Sequence, residues 1–382
     1  MPEPGPGVAA RRLAVRVLER VEDDGAYTNL ALRHALDESD LDDADRRLVT
    51  DLVAGTVRRR RSLDALLDPH LRRTPPPAAR RPLRLGAYQL AHRSDLPDYA
   101  VVSTTVAAAP QRFRGLVNAV LRRVGADLAA GRRPEVSRAV ELSYPDWIHD
   151  LLVADLGESA ASSAMSAMNE PPPVSTRADG YVQDLASQWV AALVGAGPDD
   201  LVLDVCGAPG GKATALAGTG ATVVACEPGG TRLGLLAAAA RRTGPGRVLV
   251  VAADGRALPV LDGRVDRVLV DAPCSGLGVL GRRADARWRI DAGAPERLAD
   301  LQVELLRSAV EVLRPGGELT YSVCTLTRAE TIGVDLRLGE LEPRLEVLAP
   351  PGPPWTPHGR GALLLPVGGA HDGMAVFRYR RT

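Results

Sequence analysis

An α/β fold with a doubly wound, largely parallel sheet is predicted for the second half of this 382-residue sequence, with an all-α domain ahead of it. Three observations carry the prediction. Leu201–Lys212 (LVLDVCGAPGGK) starts as a short apolar run with β-branched residues. It then breaks into a loop holding Gly207, Gly210, Gly211 and Pro209, and a helix can open at Ala213–Leu216. From Gly180 onward, strand-like and helix-like segments alternate, the pattern of a parallel sheet with right-handed crossovers. Between Val8 and about Gly131, apolar residues recur at helical spacing throughout.

The totals bound the class. The length suits two or three domains with a real core. Net charge is zero, with 22 Arg against 17 Asp+Glu in residues 1–132 and 25 Lys+Arg against 30 Asp+Glu beyond, so the front is mildly basic and the back mildly acidic. Of the 47 Lys+Arg only one is lysine, Lys212, and it sits in the glycine loop, where a compact ammonium does not exchange with a planar guanidinium. The Arg bias, with Gly 38, Pro 30 and aromatics at 3%, is the composition of a G+C-rich genome, so much of the Ala, Gly, Pro and Arg carries no functional message. No apolar run approaches membrane-span length and Met1–Arg12 lacks a signal-peptide core, so a cytoplasmic protein without membrane contact is expected. Cys206, Cys226, Cys274 and Cys324 form no Cys-x-x-Cys pair, which argues against a zinc knuckle or other metal site, and a reducing compartment argues against a disulfide.

Taken in order, residues 1–7 (MPEPGPG) read as a disordered tip. Val8, Leu13, Ala14, Val17, Leu18 and Val21 make the apolar face of a first helix. The period continues through Tyr27–Leu36, Asp43–Arg60, Ser62–Leu71, Ala78–His92 and Ala100–Val124, giving a helical domain over residues 1–132. Its basic runs are Arg58–Arg61, Arg72–Arg73 and Arg80, Arg81, Arg84. Any one run reads equally as a solvated face or as RNA contact, and several in one domain favour phosphate binding. A helical connector spans 133–178, with SYPDW (Ser143–Trp147) and NEPPP (Asn169–Pro173) as landmarks; the proline run stops a helix and stiffens the joint. Residues 179–382 form the α/β domain. A helix over Gln183–Leu193 precedes strands at Leu201–Val205, Thr222–Glu227, Arg247–Val251, Asp266–Asp271 and Glu318–Val323, with helices at Thr231–Arg241 and Pro295–Leu313. Gly361–Pro366 and Gly373–Arg380 read as a closing antiparallel hairpin.

In doubly wound sheets ligands bind at the carboxyl ends of strands. Asp204 and the glycine loop, Glu227, Asp254, Asp271 with Cys274, and Cys324 all fall there. An acid ending the second strand, about twenty residues after the glycine loop, suits a ribose diol. GAPGG is neither the spaced G-x-G-x-x-G of pyrophosphate binders nor a Walker loop, which favours S-adenosylmethionine over NAD or ATP. For a single acid the alternative is a cap or turn carboxylate, and for Asp254 the two readings stand level. Cys206 and Cys226 read as small buried hydrophobes. Cys274, between Asp-Ala-Pro and Ser-Gly-Leu-Gly, and Cys324, between Tyr-Ser-Val and Thr-Leu-Thr, end strands that stand about 5 Å apart if the strand order makes the fourth and fifth strands neighbours. Two thiols facing one cleft suit a reaction with two jobs. Carbon 5 of cytosine is a poor nucleophile; a thiolate adding to carbon 6 makes an enamine that accepts a methyl group, after which the carbon-5 proton and the thiolate must leave.

DVCGAPGGK, DAPCSGLGVL…RWR and YSVCTLT resemble the motifs of the Sun/Nop family of RNA (cytosine-5)-methyltransferases. GAYQL (Gly86–Leu90) and GLVNAVLRRV (Gly115–Val124) resemble the NusB-like RNA-binding domain. With the DGMAVFRYRR tail (Asp372–Arg381), nearly the whole chain is similar to the bacterial RsmB branch, which modifies small-subunit ribosomal RNA. The resemblance implies a Rossmann-like class I S-adenosylmethionine-dependent methyltransferase domain behind a NusB-like domain that adds RNA grip. It implies Cys324 as nucleophile, Cys274 as the group assisting release, and Asp271 on the cytosine edge with Lys212 in support. It implies that Cys206, Gly207, Ala208, Pro209, Gly210, Gly211, Lys212, Glu227, Arg232, Asp254 and Asp271 hold S-adenosylmethionine, that 16S rRNA is the partner, and that the chain acts as a monomer. The sequence departs from the family in four places. Arg177 and Gln183 are almost adjacent where a subdomain usually stands. Val323 replaces Thr, Glu227 replaces Asp, and Ala213 replaces Thr. Two other readings stay open: the same chemistry on tRNA, and an RNA-binding assembly or antitermination protein whose catalytic half is silent, supported by the missing subdomain and Val323.

Overall fold

The computed structural model describes residues 7–244 and 246–382. The tip expected to be disordered, residues 1–7, lies outside the described residues except for Gly7. The chain divides into two compact units. One comprises residues up to His149 together with Arg283–Arg289; the other comprises Asp150–Arg282 and Ile290–Thr382. The division therefore falls inside the stretch read as a connector from sequence. Its first part stays with the helical unit because Ser143 Oγ accepts from the Arg61 backbone N–H at 2.9 Å and Arg61 pairs bidentately with Asp146.

The helical unit holds Val8–Glu22, Thr28–Asp37, Asp43–Arg58, Arg60–Leu67, Pro77–His92, Asp98–Ala108 and Arg114–Ala129. The single helix expected over Ala100–Val124 is two helices. Pro110 cannot continue the first, and Ala109 before it is extended (φ −71°, ψ 152°). The apolar faces meet in one core around Leu18, Leu52, Leu63, Leu83 and Leu121. The glycine of GAYQL has a packing reason: a Cβ on Gly86 would stand 2.3 Å from Leu121 Cδ1, and Leu121 belongs to the GLVNAVLRRV helix. Tyr88 leans over Gly55, where a Cβ would stand 2.0 Å from its ring, and its hydroxyl donates to Asp51 at 2.9 Å.

The basic runs are largely committed inside this unit, which corrects their reading as a phosphate-binding face. Arg84 bonds Asp64 through Nε at 2.7 Å and Glu22 through Nη1 at 2.8 Å. Arg81 pairs with Glu22 and Asp23, and Arg80 with Asp64 and Asp68. Arg58, Arg81 and Arg84 are buried, whereas Arg72 and Arg73 are exposed. The RWR of the sequence motif is also structural here. Arg287 is fully buried with its guanidinium 4.1 Å over the Tyr144 ring, and Trp288 Nε1 donates to the Val57 carbonyl at 2.8 Å.

The second unit is built on a nine-stranded sheet. Its strands are β1 (Leu201–Asp204), β2 (Thr222–Glu227), β3 (Val248–Ala252), β4 (Val265–Asp271), β5 (Leu313–Val323), β6 (Leu345–Val347), β7 (Thr356–His358), β8 (Gly361–Leu364) and β9 (Met374–Arg381). The order is β3-β2-β1-β4-β5-β9-β8-β7, with β6 also pairing β9. Strands β1 to β5 pair in parallel, and β9 joins β5 and β8 antiparallel, as the tail hairpin predicts. Three-residue β6 and β7 are too short to show a period, which is why they were not legible. Strand β5 begins five residues before its predicted start, at Leu313, with the Gly316–Gly317 turn absorbed as a register irregularity against Val265–Arg267. Helices Leu185–Leu193, Gly211–Ala217 and Gly230–Ala240 contribute Val190, Leu216 and Leu236 to a shared core with Val202, Val223 and Leu269. Where the family usually carries a subdomain, read as missing from this sequence, a short turn is closed by a Thr176–Val182 bridge. No helix among the described residues is long and apolar enough to cross a membrane.

Gly86→Ala tests the helix crossing. Alanine favours a helix over glycine by about 1 kcal/mol, but overpacking a closed core costs about 1–3 kcal/mol. The urea midpoint of the helical unit is expected to fall despite the better helix former.

Candidate active site

Strands β1 and β4 are neighbours whose onward connections lead to opposite sides of the strand order, so a crevice opens at their carboxyl ends. The glycine loop leaves β1 there. Its glycines are demanded first by packing. The Gly207 N–H donates to the Cys226 carbonyl at 2.8 Å, and a Cβ on Gly207 would stand 3.0 Å from that of Ala225. Gly210 has φ +110°, and a Cβ there would stand 2.5 Å from that of Ala239. Ligand approach is thus not the only reason the loop excludes side chains.

Lys212, in the first turn of helix Gly211–Ala217, reaches across the crevice. Its Nζ lies 2.7 Å from Asp271 Oδ2 and 3.3 Å from Ser187 Oγ. Asp271 ends β4, and its Oδ1 accepts from Ser322 Oγ on β5 at 2.7 Å. Burial works against the ammonium, but the charge and hydrogen bond of Asp271, then Cys324 and Asp204, outweigh it and raise the Lys212 pKa. The lone lysine is therefore a held cation at the switch point of the sheet.

Asp204 at the end of β1 is 1% exposed, and its Oδ1 is a buried oxygen without a hydrogen-bond partner. Burial, then the charge of Asp271, pushes its pKa up to about 7, against the pull of Lys212 and the Cys206 N–H. Glu227, at the end of β2, is buried and receives Arg232 Nε at 3.1 Å, while Arg232 Nη2 also reaches the Ala208 carbonyl at 3.1 Å. That contact ties the second strand's acid to the glycine loop. Asp254 serves as a turn carboxylate: its Oδ1 accepts from the Arg256 N–H at 2.9 Å, and the Arg256 side chain holds its pKa down to about 2. Cys226 is fully buried, and desolvation pushes its thiol up to about 11; Cys206, half-buried in the loop, is pushed up too, by burial and then Asp204.

The two remaining cysteines meet. Asp271 of β4 is directly opposite Ser322 of β5, and Cys274 and Cys324 follow these strands within three residues. Their Sγ atoms are 3.2 Å apart. Cys274 is the thiol driven up, first by its hydrogen bond to Cys324, then by burial and by the charges of Cys324 and Glu330. By geometry either sulfur can donate to the other.

Three further residues shape the crevice, none of which was given a site role from sequence. Ser322 and Ser187 fix the Asp271–Lys212 pair. Arg177 holds the loop-to-helix junction, donating to the Gly211 carbonyl at 2.5 Å, Thr214 Oγ1 at 3.1 Å and Gln183 Oε1 at 3.1 Å. Serines at these positions carry no sequence signal, but an arginine just after the proline run did.

A glycine loop, a row of strand-end acids and two adjoining thiols on a mixed sheet, behind an all-α unit, define the class as a Rossmann-like methyltransferase. Residues 191–338 match the family of 16S rRNA methyltransferase RsmB/F, and residues 8–126 match the NusB family. Ribosomal RNA small subunit methyltransferase B of Thermus thermophilus is 37% identical, with 97% of each chain covered. The probable ribosomal RNA small subunit methyltransferase B of Synechocystis is 32% identical, covering 85% of this chain and 87% of that one. The chain belongs to the ribosomal RNA small subunit methyltransferase B family, a family of RNA methyltransferases. In fold it is similar to the crystal structure of PH0851, at TM-score 0.77 and 19% identity with all of both chains covered. It is also similar to a methyltransferase homologue from Pyrococcus horikoshii, at TM-score 0.54 and 21% identity over 64% of this chain and 98% of that one.

Asp204 has a measurable consequence for stability. An acid whose folded pKa is raised stabilises the fold below its ordinary value of 3.8 and loses that contribution as pH climbs through about 7. Asp204→Asn is expected to exceed the parent in stability above pH 7, by a gap on the order of 4 kcal/mol that closes toward pH 4. Urea titrations of both proteins at several pH values measure it.

Proposed function

We propose that this protein methylates carbon 5 of a cytosine in 16S rRNA, through a covalent adduct between Cys324 and carbon 6. The observation that carries the reading is the pair of thiols 3.2 Å apart beside the Lys212–Asp271 pair, at adjoining strand ends. Bound S-adenosylmethionine supplies the electrophilic methyl group. The residues proposed to hold it are the loop Cys206, Gly207, Ala208, Pro209, Gly210, Gly211 and Lys212, with Glu227, Arg232, Asp254 and Asp271. The fit rests on chemistry present in the chain: the orphaned Asp204 oxygen suits a cationic or N–H donor, and Glu227 suits a diol.

The Cys324 thiolate adds to carbon 6, and Lys212 offers that anion a nearby cation. Asp271 retains an acceptor site on each oxygen beyond those used by Lys212 and Ser322, so it can accept from the exocyclic amine of cytosine. Addition places electron density on carbon 5, which takes the methyl group. The carbon-5 proton then passes to a base in the cleft, the carbon 5–carbon 6 double bond re-forms, and the carbon–sulfur bond breaks. Cys274, as S–H donor to the Cys324 sulfur, stabilises the departing thiolate. With Arg80, Arg81 and Arg84 committed to carboxylates, exposed Arg72 and Arg73 are the better candidates among those runs for RNA contact in the helical unit.

Cys324→Ala is expected to abolish methylation, and Cys274→Ala to accumulate a protein–RNA adduct visible as a shifted band on a denaturing gel. Exchanged phenotypes would reverse the two roles. Bisulfite mapping of RNA from cells with and without the gene should lose one 16S rRNA signal; a lost tRNA signal would move the substrate. Tight RNA binding without heat of S-adenosylmethionine binding in calorimetry would instead mark a silent assembly protein.

A further inference from the structure

Behind the two cysteines lies a buried polar cluster that the reaction scheme does not use. Its centre is Glu330, fully buried on a π-helical turn, Ala329–Gly333. Glu330 Oε1 accepts from the Ser275 backbone N–H at 2.7 Å and from Gln302 Nε2 at 3.2 Å. Its Oε2 accepts from Thr325 Oγ1 at 3.1 Å and Thr327 Oγ1 at 2.9 Å. Ser275 directly follows Cys274, and Thr325 directly follows Cys324. Gln302 Nε2 also donates to the Pro273 carbonyl at 2.8 Å, and the Ser275 and Thr325 hydroxyls lie 2.7 Å apart.

We propose that Glu330 is a positioning residue, whose single carboxylate clamps the Cys274 turn to the Cys324 turn and so sets the separation of the two sulfurs. A buried carboxylate is costly unless it is hydrogen-bonded, and none of the described hydrogen-bond partners of Glu330 carries a positive charge. All four are donors, two on each oxygen, and each oxygen serves one cysteine turn. Beyond the last strand residues the Gly278 N–H still donates to the Cys324 carbonyl at 3.0 Å, but that bond fixes the far side of the Cys274 turn, whereas Glu330 bonds the residues directly after both cysteines. π-helical turns recur at functional sites, and this one aims Glu330 inward between the two turns. The charge of Glu330 also helps keep Cys274 a thiol, in keeping with its role as donor.

The proposal's link to catalysis rests on the cytosine-5 reading, but its geometry can be tested without RNA or methyl donor. Diamide, a diazene oxidant, takes two electrons and two protons from a pair of adjacent thiols, giving a disulfide and a hydrazine. In the full-length parent, Cys274 and Cys324 should cross-link readily, read as a tryptic cross-link by mass spectrometry. Glu330→Ala should slow that cross-link about tenfold or more, and on 16S rRNA should lower kcat about 100-fold with the KM for S-adenosylmethionine unchanged. Glu330→Gln should recover most of both. Its Oε1 still accepts from Ser275, and its amide donates to the Thr325 and Thr327 hydroxyls, which rotate to accept. Should Glu330→Ala fail to fold, Thr325→Val, of nearly equal volume, cuts the arm on the Cys324 side and should also slow cross-linking. A folded variant of either kind that cross-links at the parental rate overturns the proposal. Slowed cross-linking in a protein whose parent methylates no cytosine would uphold the clamp and overturn the cytosine-5 reading.

Discussion

The parallel pairing of β4 with β5, Asp271 opposite Ser322, is the constraint from which the site follows. Parallel neighbours send their carboxyl ends the same way, and strand spacing is about 5 Å. Residues following the two strands at nearly equal offsets are therefore delivered together. Cys274 comes three residues after Asp271 and Cys324 two after Ser322, so one register decides that two sulfurs fifty residues apart meet at 3.2 Å. The same register lets the Ser322 hydroxyl anchor the Asp271 carboxylate, and through it the Lys212 ammonium.

Charge in the crevice is held in a small, poorly solvated space, so each group is set by its neighbours. Lys212 remains a cation because Asp271 outweighs the loss of solvent. Asp204, just behind, takes the opposite course, since burial and the Asp271 charge disfavour its anion. Asp271 is left as the carboxylate exposed to the crevice, and Asp204 as a buried group with an unused oxygen.

The helical unit shows arginine put to another use. In a chain with almost no lysine, arginine also supplies the structural cations. Its planar fork bonds two carboxylates at once, as Arg84 does with Asp64 and Glu22. Runs of arginine in such a sequence do not mark a nucleic-acid face by themselves, because burial and pairing are invisible in a count of charges.

Much was legible in the sequence because it is written in local period and punctuation. Helical spacing marked the N-terminal unit. The β-branched runs with strand-end acids marked the five parallel strands to within a few residues, and the odd lysine and the two strand-end cysteines marked the crevice. Residues whose role depends on a partner far along the chain were not legible. Nothing local says that Arg81 will find Glu22 or that Gly86 must admit Leu121. Gln302, buried on helix Ala294–Val312, and Glu330, in a turn rather than a periodic element, were both missed from sequence. The sequence alone determined which chemical groups stand at the ends of which strands, since that depends on pattern within a dozen residues. Tertiary structure alone decided which of those groups touch, because contact across the sheet is a matter of register and burial that no short stretch of chain encodes.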